Sequence, residues 1–250
     1  INLTDIYEDY QLPMNWFTDS PRHPDHKVNQ IVAEVFFQSI LPVLRESTGN
    51  EIIQKTSSNF VELTYLKRYF SEFDPSAHGT IGSIVMNCNP FTRGHRYLIE
   101  MALEPVDFLI LFVVEEDKSL FTFEERFAMV CAGVSDLANV MVVPSGAFIL
   151  SQQTFPQYFM KIVDEELVNS TEYDIRIFAE QIAPKLNISY RFVGEEPEDQ
   201  VTSAYNEAMK RILPSNGVKV VEIPRKRIGE QCVSESRARK CLEENDLERL

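Results

Sequence analysis

From residue 81 onward, short apolar runs alternate with longer stretches in which apolar residues recur three or four positions apart. The short runs predict buried strands, and the longer stretches predict amphipathic helices. The predicted strands are residues 81–86, 108–114, 140–143, 189–193 and 219–223. The predicted helices are residues 95–103, 122–134, 155–168, 173–186 and 203–213, with a last one from Arg237 onward.

These elements predict an α/β fold with a Rossmann-like, parallel five-stranded sheet and helices on both faces, because strands separated by helices are typical of covered parallel sheets. We expect this domain to occupy residues 80–250. A small, mostly helical N-terminal segment, residues 1–79, precedes it, and the Pro- and Gly-containing string at 74–79 is typical of a linker. Because the chain opens on Ile1 within patterned sequence, we expect it to be a piece of a longer polypeptide.

Composition and charge narrow the classes of function. With 250 residues, of which 44% are hydrophobic, the chain can bury a sizeable core. Its formal charge of −14 would repel a nucleic-acid backbone, so nucleic-acid binding is not expected. No apolar run approaches the ~20 residues that cross a bilayer, and no signal peptide opens the chain, so we expect no membrane association and a cytoplasmic location. The four cysteines form no C-x-x-C pair, which argues against a disulfide framework and a zinc site.

The most informative segment is the polar loop at residues 87–95, which lies between the first predicted strand and the first predicted helix. A strand, a Gly-containing turn and a helix in this order place backbone N–H groups and the positive end of the helix at the carboxyl edge of the sheet, where nucleotide phosphates bind. Thr92 and His95, three apart across Gly94, are expected to point into this notch. The loop therefore predicts chemistry on a nucleoside triphosphate, although an ordinary strand-to-helix loop also fits this string alone.

The loop resembles the T/H-x-G-H signature of the nucleotidyltransferase superfamily. A second string, Val233-Ser234-Glu235-Ser236-Arg237-Ala238-Arg239, is similar to the I-S-S-T-x-x-R element of that superfamily. Further strings at residues 112–121, 154–159, 192–197, 201–206 and 220–226 narrow the resemblance to the catalytic domain of citrate (pro-3S)-lyase ligase, over residues 81–250. The central prediction is that His95 and the turn at residues 234–239 converge on one triphosphate.

This resemblance implies an ATP-dependent acylation. A small carboxylate such as acetate is activated as an acyl adenylate with release of pyrophosphate, and the acyl group then passes to a thiol on the acyl-carrier subunit of citrate lyase. The cofactors implied are ATP and Mg²⁺. We expect Mg²⁺ to arrive on the nucleotide, because the sequence contains no evident protein metal site. For the acidic run Glu115, Glu116 and Asp117, a solvated surface is favoured over magnesium ligation.

The resemblance also implies roles for individual residues. His95, Lys118 and Arg239 are the expected catalytic residues: Lys118 would contact the α- or β-phosphate, and His95 and Arg239 would contact the phosphates of the leaving group. The expected nucleotide-binding residues are Asn87, Asn89, Thr92, Gly94, His95, Gly194, Glu195, Ser234, Ser236, Arg237 and Arg239, with Gly194 and Glu195 near the base and ribose. The alternatives are that Lys118 is a solvated lysine and that Ser234 or Ser236 only caps a helix, with Arg237 and Arg239 on a solvated face.

The N-terminal segment departs from the ligase pattern, since family members normally carry an acetyltransferase-like domain there. Residues 1–47 instead resemble the closing block of SGNH (GDSL-type) hydrolases, through the string at residues 16–24 and the helix predicted from Val28, with Asp19 and His23 as the acid and the base. The nucleophile block is absent, so we expect no hydrolase activity; a polar loop that enters a helix fits this string as well. This context leaves two alternatives open: a cytidylyl- or adenylyltransferase acting on a sugar or polyol phosphate, and a catalytically inactive nucleotide-binding module.

Overall fold

The structure is a computed structural model that describes residues 65–115, 120–152, 154–160, 167–197, 199–228, 231–232 and 235–244. Five strands form one parallel sheet in the order β3-β2-β1-β4-β5, which confirms the predicted fold class. The strands are β1 (Ile81–Met86), β2 (Phe108–Val113), β3 (Val140–Pro144), β4 (Ile188–Gly194) and β5 (Lys219–Ile223). A two-stranded antiparallel hairpin, β6 (Arg227–Ile228) and β7 (Gln231–Cys232), was not predicted.

The helices described are α1 (Lys67–Phe70), α2 (Arg93–Leu103), α3 (Phe123–Gly133), α4 (Pro156–Met160), α5 (Leu167–Ile177), α6 (Gln200–Ile212) and α7 (Glu235–Glu243). None of the helices in this part of the chain has the length and apolar character needed to cross a membrane. The predicted SGNH-like string lies outside the described residues, and the domain boundary at residues 79 and 80 stays a prediction.

The sheet is buried on both faces, and β2 shows why its sequence is apolar throughout. Successive side chains of a strand point to opposite faces, so a strand covered on both sides needs an apolar residue at every position. Ile110 and Phe112 pack on the side of α5 and α6, whereas Leu109 and Leu111 pack on the side of α2 and α3. All four side chains are fully buried.

Side-chain caps decide where several helices begin. The Thr122 hydroxyl accepts a hydrogen bond from the Glu125 N–H, and the Glu125 carboxylate accepts one from the Thr122 N–H, a capping box at the start of α3. The Asp199 carboxylate accepts from the Thr202 N–H at 2.9 Å, and α6 therefore begins at Gln200, three residues before the predicted start.

The predicted division between the third and fourth helices is wrong. The prediction placed a break between residues 168 and 173, but α5 runs without interruption through Ile177 and continues as a π-helical turn, Phe178–Ile182. The misleading signal was the polar string at residues 169–172. Thr171 and Asp174 are both buried, so this helix turns polar side chains as well as apolar ones toward the core.

Asp174 is the centre of a buried polar group under the β3–α4 connection. Its carboxylate accepts hydrogen bonds from the Leu150 N–H at 2.7 Å and from the hydroxyls of Thr154 and Tyr205, each at 2.5 Å. The Leu150 backbone has φ of +52°, a left-handed conformation that costs roughly 1 kcal/mol for a residue with a side chain. The hydrogen bond to Asp174 offsets this cost and holds the connection in place.

Arg191 supplies the opposite charge from β4. Its side chain is 3% exposed and its guanidinium lies 4.7 Å from the centroid of the Phe178 ring. Burial raises the pKa of Asp174, while the hydrogen bonds from Thr154 and Tyr205 and the positive charge of Arg191 act against that rise. The buried carboxyl is thus stabilised by hydrogen bonds and by a nearby cation.

We predict that Asp174→Asn lowers the free energy of unfolding by about 3 kcal/mol. The amide loses the negative charge opposite Arg191. It also has only one oxygen, so it cannot accept the hydrogen bonds that the two carboxylate oxygens of Asp174 accept. Urea unfolding followed by circular dichroism measures the change. Glu172→Gln on the same helix is the matched control: its carboxylate pairs with the exposed Arg211, so the expected change is below about 1 kcal/mol. Equal effects of the two substitutions would contradict the role assigned to Asp174.

Candidate functional site

The candidate site lies at the carboxyl edge of the sheet, where the chain order reverses. β1 is flanked by β2 on one side and by β4 on the other, so the connections after β1 and β4 leave the sheet in opposite directions. In open α/β sheets, a crevice forms outside the carboxyl ends of the strands at such a point, and ligands bind there. The loop at residues 87–92, which we call the β1–α2 loop, lies at this position.

Arg126 of α3 supports the β1–α2 loop from below. Its side chain is fully buried. Its Nη1 donates to the carbonyl of Val114 at 2.7 Å and to the carbonyl of Asn87 at 2.8 Å, and its Nε donates to the carbonyl of Phe121 at 3.2 Å. One guanidinium therefore ties together the ends of β1 and β2 and the start of α3.

Within the loop, Thr92 and His95 form a capping box at the start of α2. The Thr92 hydroxyl accepts from the His95 N–H, and the Thr92 N–H donates to Nδ1 of His95 at 3.0 Å. Because a backbone N–H can only donate, Nδ1 must be the unprotonated nitrogen, and the proton lies on Nε2. The Phe91 ring stacks against the imidazole, with centroids 5.7 Å apart. The imidazole is thus fixed with its donor nitrogen pointing away from α2.

Glu235, the first residue of α7, faces this donor. Its Oε1 lies 3.1 Å from Nε2 of His95 and accepts from the Asn89 N–H at 3.0 Å, while its Oε2 lies 3.4 Å from Nη1 of Arg239. Arg239 Nη1 also donates to the Asn89 carbonyl at 2.5 Å. We call Asn89, His95, Glu235 and Arg239 the Glu235 cluster. These contacts show that the two segments, about 140 residues apart, meet as predicted, while their binding of one triphosphate stays a prediction.

Electrostatics in the cluster favour an anion. Burial alone would raise the pKa of Glu235, but the hydrogen bonds from His95 and the Asn89 N–H, together with the charge of Arg239, hold it below its usual value. The negative charge of Glu235 also acts on Tyr158 of α4. Burial raises the pKa of the Tyr158 hydroxyl, and the negative charges of Glu235, Asp199 and Glu196 raise this pKa further. Glu235 is therefore a carboxylate and Tyr158 a neutral phenol at neutral pH.

The other predicted residues have diverse positions. Asn87 accepts from Arg126 through its carbonyl and side chain, and the Asn89 side chain accepts from the Phe121 N–H at 3.2 Å, so both amides stabilise the loop. Ser236 is exposed and accepts from Arg239 Nη2 at 3.2 Å, and Arg237 is exposed. Gly94 lies in the first turn of α2. Lys118 and Ser234 lie outside the described residues, and so do Glu116 and Asp117.

Gly194 and Glu195 lie at the end of β4. The Gly194 carbonyl accepts from the Asn206 side chain at 3.1 Å, and no atom of the described residues lies within 4 Å of the place where a β-carbon would sit. The Glu195 N–H donates to the Ile223 carbonyl at 2.9 Å, and its own carbonyl accepts from Arg225. The edge is thus open above Gly194, while the backbone of Glu195 is already bonded to β5 and the segment that follows it.

Among the described residues, no group of three or more His, Cys, Asp or Glu side chains could hold a metal ion. A divalent ion that is bound mainly by nucleotide phosphates needs only one or two protein carboxylates. Glu235 is one carboxylate next to the expected phosphate donors, so the residues present fit an ion that arrives with the nucleotide.

The sequence analysis did not identify three residues of this site: Arg126, Glu235 and Tyr158. A signal existed for Arg126, because it is a cation on a helix whose core-facing positions are otherwise apolar. Glu235 stands between two serines of a recognised string, where an acidic residue contrasts with the expected phosphate ligands. For Tyr158 the sequence contained no comparable signal.

We predict that Arg126→Lys lowers the free energy of unfolding by about 2–4 kcal/mol, because an ammonium lacks the fork that reaches the carbonyls of Val114, Asn87 and Phe121 together. Chemical denaturation measures this. Arg211→Lys is the control, since the Arg211 guanidinium is exposed and pairs with Glu172; a change of under about 1 kcal/mol is expected there. A tolerated lysine at position 126 would refute the structural role.

We predict a pH dependence that Glu235 controls. Its folded-state pKa lies below the unfolded value of 4.5, so its stabilising contribution is complete above about pH 4.5 and is lost as the pH falls through the folded-state pKa. The difference in unfolding free energy between the wild type and Glu235→Gln should therefore be present at pH 6 and shrink toward pH 3. Denaturation at a series of pH values measures this difference. A difference that grows as the pH falls would contradict a lowered pKa of Glu235 in the folded protein.

Comparison with known proteins finds a matching family and similar relatives. A family model described as the citrate lyase ligase C-terminal domain matches residues 81–250. The citrate lyase ligase of Escherichia coli (strain K12) is 42% identical over 193 residues, which make up 74% of this chain and 54% of that protein. The ligase of Haemophilus influenzae is 43% identical over 178 residues, 68% of this chain and 52% of that protein. The chain thus spans about half the length of these curated relatives.

Two solved structures are also similar. A NadR protein in complex with NAD and AMP-PNP has a TM-score of 0.44 and 19% identity, over 66% of this chain and 43% of that one. A pantoate-beta-alanine ligase from Francisella tularensis has a TM-score of 0.45 and 14% identity, over 70% of each chain. The family model and the curated relatives, which cover most of this chain, show that it belongs to the citrate lyase ligase family.

Proposed function

We propose that the protein activates a small carboxylate, acetate, with ATP to form an acyl adenylate and pyrophosphate, and then transfers the acyl group to a thiol on the acyl-carrier subunit of citrate lyase. Family membership supports this proposal, since the curated relatives are ligases that act on citrate lyase by name. The order of strand, polar loop and helix at residues 81–103 supports it as well.

The single observation that carries the proposal is the Glu235 cluster. A backbone N–H, an imidazole Nε2–H and a guanidinium converge on one carboxylate within 3.0–3.4 Å. This set of donors suits any compact oxyanion, and the positive ends of α2 and α7 meet at the same place. A phosphate group of a nucleotide is the oxyanion that the family's reaction requires.

The first step would be an in-line displacement at the α-phosphorus. An acetate oxygen forms a bond to this phosphorus while the bond to the bridging oxygen of pyrophosphate breaks. Both reactants are anions and negative charge develops on the leaving group, so preorganised donors must offset the repulsion. His95 and Arg239 would contact the β- and γ-phosphates, and Mg²⁺, when bound with ATP, would neutralise part of the same charge.

The second step would be acyl transfer. The adenylate turns acetate into an electrophile, because AMP is a far better leaving group than oxide. The carrier thiol gives up its proton to solvent, and its sulfur forms a bond to the carbonyl carbon as the bond from that carbon to the AMP oxygen breaks and AMP leaves. Lys118, Ser234, Ser236 and Arg237 complete the proposed phosphate contacts, and Gly194 and Glu195 those to base and ribose.

Thr92 has a distinct proposed role. Its hydroxyl and N–H both contact the His95 residue, so its first task is to fix the imidazole rather than to touch phosphate directly. Asn87 and Asn89 likewise act mainly by shaping the loop, with the Asn89 N–H left to face the anion. These assignments make His95 the residue that most directly contacts the triphosphate.

The test is pyrophosphate release from ATP with and without acetate. We expect release to depend on acetate, and His95→Ala to lower the rate by roughly 100-fold, the usual effect of removing one donor to a developing oxyanion. His78→Ala is the matched control, because His78 precedes β1 at the opposite edge of the sheet and packs on Phe108. It should leave the rate unchanged once folding is verified.

Two outcomes would contradict the proposal. Equal pyrophosphate release without any carboxylate would exclude acyl adenylate formation. Release that proceeds with CTP and a sugar or polyol phosphate, but not with ATP and acetate, would assign the site to nucleotide activation of an alcohol phosphate instead.

A further inference from the structure

Glu235 is an anion at a site that is expected to bind anions. Its two carboxylate oxygens occupy the Asn89 N–H, the Nε2–H of His95 and one Nη1 of Arg239. Its side chain is only 26% exposed, so it is held in this position rather than extended into solvent. Asn89, His95 and Arg239 are the groups that the proposed function directs toward phosphate.

One set of donors cannot serve two anions at once. A phosphate group that takes the donors must first displace the carboxylate, and α7 then keeps that carboxylate near the phosphates because Glu235 is the first residue of the helix. Two like charges at a few ångströms in a partly buried place repel each other strongly. The carboxylate therefore weakens binding of any oxyanion that brings no positive charge of its own.

The charge balance of the Glu235 cluster points the same way. His95 is neutral in the tautomer that the Thr92 N–H fixes, Arg239 carries one positive charge and Glu235 one negative charge. These three side chains together supply no net positive charge to a triphosphate. A divalent cation bound to the triphosphate would reverse the sign of the contact with Glu235, from repulsion to attraction.

We propose that Glu235 is a specificity-determining residue that makes the site select the metal-complexed nucleotide over the free nucleotide; this rests on the proposed function, which requires a triphosphate at the Glu235 cluster. The carboxylate holds the phosphate donors in the empty site. On binding it is displaced, repels a bare triphosphate and faces the cation of a complexed one.

The test is calorimetric titration with ATP in excess Mg²⁺ and with ATP in EDTA, and the readout is the ratio of the two dissociation constants. Glu235→Gln removes the negative charge and keeps the size of the side chain. Glu235→Ser removes the charge, shortens the side chain and places there the hydroxyl that the similar I-S-S-T-x-x-R element has at this position. In both variants the preference for the Mg²⁺ complex should fall roughly tenfold, the effect of one partly screened charge. Glu244→Gln, an exposed partner of Lys240 at the other end of α7, should keep the wild-type ratio.

The outcomes separate this inference from the proposed function. If the wild type binds ATP and Glu235→Gln keeps the same ratio, the inference is overturned while the proposed function stands. A loss of preference in Glu235→Ser alone also overturns it, since size rather than charge would then decide. If neither the wild type nor the variants bind ATP in either form, the proposed function itself fails. Thermal melting of each variant verifies that the ratio is measured on folded protein.

Discussion

The candidate site depends on one buried cation. Arg126 donates to the backbone carbonyls of Asn87 after β1, of Val114 after β2 and of Phe121 before α3, and so joins three segments that meet beside the β1–α2 loop. A carbonyl that is removed from water needs a donor, and a planar guanidinium can satisfy several at once. Burying the charge of Arg126 costs free energy, and the hydrogen bonds to these carbonyls offset that cost while they fix the base of the β1–α2 loop.

Contacts at the base of the loop orient the donors above it. The Asn89 side chain accepts a hydrogen bond from Phe121, and the backbone N–H of Asn89 points toward Glu235. Thr92 fixes the imidazole of His95 so that its Nε2–H points toward the same carboxylate. α7 then brings Arg239 and Glu235 to the same donors. The result is a set of fixed donors around the Glu235 carboxylate whose parts come from the two ends of the domain, and the proposed stabilisation of a leaving group would require such a set.

The sequence predicted the sheet well, because the apolar strands are buried on both faces and carry an unbroken signal; β1 and β5 have the predicted bounds. It wrongly placed a helix break between residues 168 and 173, because Thr171 and Asp174 turn polar side chains into the core against the usual pattern. In the site, it predicted that His95 and the string around Arg239 converge, since both belong to recognisable strings. It did not predict Arg126 or Glu235, because their roles depend on partners that lie far away in the chain, such as Val114 for Arg126, 12 residues away, and Asn89 for Glu235, 146 residues away.

Cys88 belongs to the same β1–α2 loop and is a natural chemical probe of its motion. Its thiol is fully buried, its backbone is left-handed with φ of +55°, and burial raises its pKa well above the ordinary value. Cys131, by contrast, is only partly covered. An alkylating reagent should therefore modify Cys131 before Cys88, because it reaches Cys88 only when the β1–α2 loop opens locally. The slower rate of labelling then measures how often this loop opens.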